Sequence, residues 1–379
     1  GHKVIVSIIK EIGNRTFLGK VERIIGHKND PGVDILTIAA KHSIETIFSE
    51  AVLNELKNIP DTVCENDLIG RTDLTKEMIF TIDGDDTKDI DDAISVKKDG
   101  NNYILGVHIA DVSNYAKVGT ALYDSGTSSY LADTVIPMLP HQLSNGICSL
   151  NPEVVRLTIS CVMTINDAGK VIDYDIFPSY IMSRKQMTYK NVNKILDENK
   201  VPKGYEEFVD TLKTMHELAK ILRKEKINRG YIDFGIDEAK VIQDKKGRAI
   251  DIVKRVQGTG EKLIEDFMIA ANETVATHIS NMDLPFIYRV HDLPNAEKIE
   301  DFCNLIKQLG YQVHTNLNKI TPVTMQKLLD EFRDKDEFVI LSDMLLRSMK
   351  KAIYSTNNIG HFGLASKNYT HFTSPIRRF

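Results

Sequence analysis

Residues 81 to 94 read Thr81-Ile82-Asp83-Gly84-Asp85-Asp86-Thr87-Lys88-Asp89-Ile90-Asp91-Asp92-Ala93-Ile94, with six aspartates in ten residues between apolar segments. Carboxylates crowded within a few ångströms repel and raise one another's pKa unless a cation neutralises them. Hard oxygen ligands of this kind suit Mg²⁺, or Mn²⁺ in its place. Two such ions about 4 Å apart can hold an attacking water and the leaving oxygen of a phosphodiester in line, so the cluster implies phosphoryl hydrolysis. Near the other end, Thr373-Ser374-Pro375-Ile376-Arg377-Arg378 sets two forked guanidinium groups beside hydroxyls. That combination suits the charge on a transferring phosphate, although two adjacent arginines taken alone would be a solvated face.

Other readings of the acidic segment compete. A calcium-binding EF-hand loop needs glycine at its sixth position, and counting from Asp83 that position is Lys88. Asp83-Gly84-Asp85-Asp86-Thr87 resembles the DxDxT nucleophile loop of haloacid-dehalogenase-type phosphatases, which would use Asp83 and Asp85 but leave Asp89, Asp91 and Asp92 idle. A solvated acidic turn is the usual meaning of a charge run. Here the flanking apolar strands aim it at the interior.

The elements that must position these groups are legible in outline. Val4 to Ile9, Leu18 to Ile25 and Val33 to Ile38 alternate like strands between Gly-Asn and Asn-Asp-Pro-Gly turns, which predicts a small all-β barrel. A short helix follows, with Ser49 as N-cap and an end near Pro60. The first boundary is placed near residue 65, dividing the chain into 1–65 and 66–379. Beyond it, strands are predicted at Met78 to Ile82, Tyr103 to Ile109, Leu157 to Ile165 and Val171 to Ile181, the last two joined by a hairpin at Asn166-Asp167-Ala168-Gly169-Lys170. Helical periodicity covers Glu206 to Lys226, Glu261 to Ser280, Ala296 to Leu309 and Phe338 to Ile353. No internal repeat is present, so the second unit reads as one large α+β domain.

Composition narrows the function classes. With 379 residues, 42% hydrophobic and 27% charged, the chain is ordinary globular protein of two or three domains. The 48 basic and 53 acidic residues give a net charge of −5, so phosphate affinity must come from local clusters. Four scattered cysteines without a CxxC argue against structural zinc or a disulfide framework, and place the protein in the cytoplasm. No apolar run is long enough to span a bilayer. The absence of an initial Met and the stop at Phe379 lead to the expectation of a piece of a longer protein.

The acidic segment, Val135-Ile136-Pro137-Met138-Leu139-Pro140, Leu143-Ser144-Asn145-Gly146-Ile147-Cys148-Ser149-Leu150-Asn151-Pro152, Leu345-Leu346-Arg347-Ser348-Met349, His361-Phe362-Gly363-Leu364-Ala365 and His371-Phe372-Thr373-Ser374-Pro375-Ile376-Arg377-Arg378 together resemble the ribonuclease II/R (RNB) superfamily of 3′→5′ exoribonucleases. The resemblance runs from about residue 70 to the end. The first 65 residues look like an OB-type, cold-shock-like RNA-binding barrel of that family, ahead of an incomplete RNB catalytic domain.

The resemblance implies a monomeric, hydrolytic, processive, Mg²⁺-dependent enzyme that takes single-stranded RNA by its 3′ end and releases nucleoside 5′-monophosphates. Asp83, Asp89, Asp91 and Asp92 fall on the family's four catalytic aspartates, Asp83 and Asp92 on those that hold the tighter metal and Asp89 and Asp91 on those that complete a second metal site or position water. Arg377, followed by Arg378, falls on the arginine that stabilises the scissile phosphate. Tyr130 and Phe234 fall on the aromatic residues that stack on the 3′-terminal base. With no Trp in the chain, stacking must use Tyr, Phe, His or Arg. Tyr189 and Glu265 fall on ribose-reading positions, with Asp266 the alternative to Glu265 if the alignment slips by one. Arg377 stands two residues from the end, which leads to the expectation that nothing holds it in place. A catalytically inert RNA-binding relative is the rival, and the intact aspartate set argues against it.

Overall fold

The computed structural model describes residues 1–131, 134–235, 238–244, 248–311 and 320–377. The N-terminal strands β1 (His2–Gly13) and β2 (Thr16–His27) form an antiparallel hairpin. The third predicted strand is instead a helix, α1 (Val33–Lys41). A six-residue apolar run fits either periodicity, and here Gly32 (φ +80°) turns the chain into a helix that buries Val33 and Ala39. Residues 1–49 therefore contribute a hairpin and a helix of the expected barrel, with Val6, Ile8, Ile9 and Val21 exposed. Helix α2 (Glu50–Leu56) is capped by the Ser49 hydroxyl, which accepts the Val52 N–H as expected.

The second unit is built on a five-stranded sheet. Its strands are β3 (Thr72–Asp73), β5 (Asp92–Asp99), β6 (Asn102–Ala110), β9 (Val155–Ile165) and β10 (Val171–Met182), in the order β3-β10-β9-β6-β5. All neighbours are antiparallel except β3 with β10. The predicted 166–170 hairpin turn joins β9 to β10, with Gly169 at φ +77°. Short strands β4 (Thr81–Asp83), β7 (Ser129–Tyr130), β8 (Val135–Ile136) and β11 (Gln186–Thr188) lie around this sheet.

Alternation along the strands decides the packing. Ile94, Val96, Leu105, Val107, Ile109, Cys161 and Met163 share one core with Leu212, Met215 and Leu218 of α4 (Val209–Arg229) and Leu263, Phe267 and Ala271 of α5 (Thr259–Asn281). Each large apolar side chain so buried contributes roughly 1.5–3 kcal/mol. Helix α3 (Tyr189–Glu198) joins the same core through Val192 and Ile195. The alternate positions of the sheet carry a buried polar chain: His108 Nε2 meets Ser95 Oγ at 3.1 Å, His108 Nδ1 meets Ser160 Oγ at 2.7 Å, and Ser160 meets Ser179 at 2.6 Å. Burial pulls the His108 pKa down to about 3, so the ring works there as a neutral hydrogen-bonding bridge.

A second core gathers Val52 of α2, Ile79, Ile90, Ala110, Met138, Leu143, Leu150 and Ile376. It therefore holds α2, the acidic segment and the arginine segment together. A third core is helical, formed by α6 (Ala296–Gln308), α7 (Pro322–Phe332) and α8 (Phe338–Ser348) around Phe302, Leu328 and Leu345. Helix α8 stops five residues short of the predicted end. Residues from Ile353 instead form a strand, Ile353–Ser355, paired with Tyr288–Val290, a long-range partner that local periodicity does not reveal. A further hairpin pairs Glu238–Gln243 with Ala249–Arg255.

Candidate active site

The acidic segment leaves β4 at Asp83 and re-enters the sheet at Asp92. Backbone hydrogen bonds in both directions between Phe80 and Ile94 set this antiparallel return, bringing Asp83 and Asp92 back beside each other. On its other side β4 runs parallel to β11 with Asp83 opposite Thr188, the N-cap of α3. That pairing places Tyr189 at the same point.

The loop between the two aspartates is held by a residue for which the sequence reading had no role. Ser149, fully buried, accepts the Ile90 N–H at 3.1 Å and donates to the Lys88 carbonyl at 2.7 Å. Arg156 in turn ties down the Ser149 carbonyl through Nε at 2.9 Å. Asp89 and Asp91 flank the stapled residue Ile90. A serine with a leucine and an asparagine beside it carries no signal of this role; only the Leu143–Pro152 block as a whole pointed here.

Asp83 and Asp92 line a cavity of about 600 Å³. Tyr189, Glu265, Tyr369, Thr373 and Arg377 line it too. Asp91 is buried and faces the arginine segment, where Oδ1 accepts the Ile376 N–H at 2.7 Å and Oδ2 lies 3.2 Å from Arg377 Nε. Asp89 Oδ2 lies 3.6 Å from the same nitrogen and accepts from Tyr130 Oη at 3.4 Å. The four aspartates thus divide into a pair at the cavity and a pair at the guanidinium. Among the described residues no three histidine, cysteine, aspartate or glutamate side chains converge to cage an ion.

The electrostatics favour a cation at the pair. Burial, reinforced by Asp92, pushes the Asp83 pKa up to about 7, and burial pushes Asp92 up to about 6 against the pull of Arg377. Burial raises Asp91 to about 8, although Arg377 and the Ile376 N–H oppose it. Asp83 Oδ2 and Asp91 Oδ2 are buried with no hydrogen-bond partner. A buried carboxylate oxygen without a partner, as Asp83 Oδ2 is, is costly to ionise, whereas Asp91 Oδ2 faces the Arg377 guanidinium. Mg²⁺ is commonly held through one or two carboxylates, with waters and phosphate oxygens completing its octahedron, so the residues present fit such an ion.

Arg377 is anchored, contrary to expectation. Its carbonyl accepts the Ser128 N–H at 3.0 Å, its own N–H reaches Ser374 O at 3.3 Å, and its guanidinium stands 5.8 Å from the centre of the Tyr130 ring. Tyr130 is 53% exposed and is not among the residues lining the cavity. Phe234 is half-buried against the third core and is not among the residues lining the cavity. Arg378 lies outside the described residues.

Helix phase separates Glu265 from Asp266. Glu265 lines the cavity while its carboxylate accepts from Lys226 Nζ at 2.9 Å and Tyr231 Oη at 3.3 Å. Asp266 is buried between α4 and α5, paired with Arg223 at 2.8 Å and Lys226 at 2.6 Å. Asp85, which a phosphatase reading requires beside Asp83, is exposed and does not line the cavity.

The chain is similar to known proteins along its length. The RNB domain family matches residues 71–379 and the cold shock domain family residues 1–49. "Ribonuclease R" of Thermotoga maritima is 48% identical over 386 residues, covering 100% of this chain and 54% of its own length. "Ribonuclease R 1" of Lactococcus lactis subsp. lactis is 46% identical over 371 residues, covering 96% and 45%. The solved structure of Mycoplasma genitalium RNase R in complex with ribose methylated single-stranded RNA superposes with a TM-score of 0.94 at 31% identity, over 100% of this chain and 60% of that one. The chain spans about half the length of the curated relatives it matches. With the family match running unbroken from the first sheet strand past the acidic loop to the arginine segment, the chain belongs to the RNB family, behind a cold shock segment.

Proposed function

We propose that this chain carries the catalytic machinery of a Mg²⁺-dependent hydrolytic exoribonuclease that degrades single-stranded RNA processively from its 3′ end to nucleoside 5′-monophosphates. The observation that carries the reading is the convergence of Asp83, Asp92 and Arg377 on one cavity with Tyr189 and Glu265. Asp83 and Asp92 would hold the ion, whose chemistry is to activate the attacking water and neutralise charge on the phosphate. Asp89 and Asp91 orient Arg377, which donates to the non-bridging oxygens of the scissile phosphate as charge develops there.

Substrate recognition follows from the remaining residues. Tyr130 offers a stacking face to a base near the 3′ end, worth about 1–3 kcal/mol. The Glu265 carboxylate accepts from a ribose hydroxyl and the Tyr189 hydroxyl donates to the sugar, contacts that deoxyribose would partly lose. We assign Phe234, half-buried against the third core, to the other side of that stack, and Arg378 to phosphate binding. The net charge of −5 does not oppose RNA binding, because phosphate attraction need act only along the strand's path. Four free cysteines fit a reducing cytoplasm, and we take the protein to act there as a monomer. Among the described residues no helix is long and apolar enough to cross a membrane.

The test compares 3′-labelled and 5′-labelled single-stranded RNA incubated with the whole protein and Mg²⁺ or EDTA. A 3′ label appearing at once as mononucleotide, a 5′ label passing from full length to a short end product without a ladder of intermediates, and silence in EDTA support the reading. RNA that is bound but left intact in Mg²⁺ identifies an inert relative and refutes it.

A further inference from the structure

Asn272 lies on α5 seven residues, or two turns, beyond Glu265, so the two share a helix face and both line the cavity. Its side chain is only 3% exposed. Its Oδ1 accepts the N–H groups of Phe372 at 2.8 Å and Thr373 at 3.2 Å, while Nδ2 donates to Tyr369 Oη and Thr373 Oγ1, each at 3.2 Å. An amide has two donor hydrogens and two acceptor lone pairs, so this one has nothing left for a substrate.

What it holds is the segment that delivers Arg377. From Tyr369 the chain passes Thr373 and Ser374, both at the cavity, and reaches Ile376 and Arg377, which Asp91 and the Ser128 N–H secure. Asp91 fixes the far end of this segment from the acidic loop. Asn272 fixes its near end from the helix that carries Glu265. Resting on the exoribonuclease reading above, we propose that Asn272 is a positioning residue for that reaction, clamping the backbone at Phe372 and Thr373 and the hydroxyls of Tyr369 and Thr373 so that Arg377 is held at a fixed distance from the sugar-reading face of α5. A guanidinium stabilises a developing charge only while aligned with it, and a displacement of about 1 Å can cost about 100-fold in rate.

The test measures single-turnover hydrolysis of a short RNA by the whole protein, with thermal melting and RNA affinity recorded on each variant. Asn272→Ala should lower kcat by about 10–100-fold with RNA affinity changed by less than about threefold. In an Arg377→Ala background the same substitution should cost less than about threefold more, because the group it positions is already gone. Equal losses in both backgrounds would mean that Asn272 merely supports the packing of α5, and would overturn the proposal, as would a kcat within about threefold of wild type. Should Asn272→Ala melt too low to assay, Tyr369→Phe removes one acceptor of the clamp at little cost in packing. Its smaller kcat loss, of about two- to tenfold, must likewise vanish in the Arg377→Ala background or the proposal falls. A wild-type protein that leaves RNA uncut refutes the function itself; a cutting wild type with an indifferent Asn272 refutes only the clamp.

Discussion

Ser149→Ala deletes a single oxygen, yet it strips the partner from two backbone groups of the acidic loop. The Ile90 N–H belongs to a residue with no exposure, as Ser149 has none, so water cannot replace the hydroxyl there. The Lys88 carbonyl belongs to an exposed residue and recovers part of its loss from solvent. An unsatisfied buried group costs about 1–3 kcal/mol, so the variant should lose about 2 kcal/mol of stability. At about 2.1 cal/mol/K per residue, a unit spanning 66–379 unfolds with an entropy of about 0.65 kcal/mol/K, so this is a drop of about 3 °C in Tm. The same staple sets the spacing of Asp89 and Asp91, so kcat should fall by about tenfold or more, as displacement of catalytic groups usually entails. Differential scanning calorimetry and a single-turnover RNA assay read the two effects separately. A melting temperature and a kcat both indistinguishable from wild type would refute the claim that Ser149 holds the loop.

Asp91→Asn keeps an acceptor for the Ile376 N–H but removes the charge facing Arg377, so hydrolysis should fall by about 10³-fold while RNA binding persists in a filter or mobility assay; turnover within tenfold of wild type would contradict the role given to Asp91. Tyr130→Ala should lengthen or blur the final resistant product without abolishing cleavage, since stacking grips the strand end and the acidic site cuts it; an unchanged product ladder would deny Tyr130 that grip. Without metal, Asp83, Asp91 and Asp92 titrate in the folded protein at about 7, 8 and 6, against about 3.9 when unfolded. The folded state therefore holds protons that the unfolded state has released, and stability falls as pH rises from about 4 through 8. Mg²⁺ competes with those protons, so its addition should raise Tm more at pH 8 than at pH 6; a gain that is equal or larger at pH 6 would contradict the burial of these carboxylates.

Much of the site was legible in the sequence because it is written locally. Six aspartates in ten residues between apolar segments mark a candidate cation site by residue type alone, and the 166–170 turn and the periodicity of α4, α5 and α6 follow from near-neighbour chemistry. Local periodicity failed where two elements share one pattern, at α1, and where a distant strand captured the chain, at Ile353–Ser355. The division of labour among the aspartates was not local either. Asp91 turns from the cavity because the Ile376 N–H, 285 positions along the chain, takes its oxygen.

Three further features depended on tertiary structure alone. Glu265 and Asp266 are adjacent in sequence, but one residue of helix is about 100° of rotation. Only the packing of α4 against α5 decides which carboxylate meets Lys226 and Arg223 in the interior and which also reaches the cavity. Phe234 is an aromatic residue whose packing against the third core only the fold reveals. Ser149 and Asn272 are uncharged side chains whose work is to satisfy backbone groups of segments far away in the chain. Residue type shows which chemistry a side chain can do, whereas hydrogen-bond partners across 59 or 100 positions exist only once the sheet, α5 and the arginine segment have been folded together.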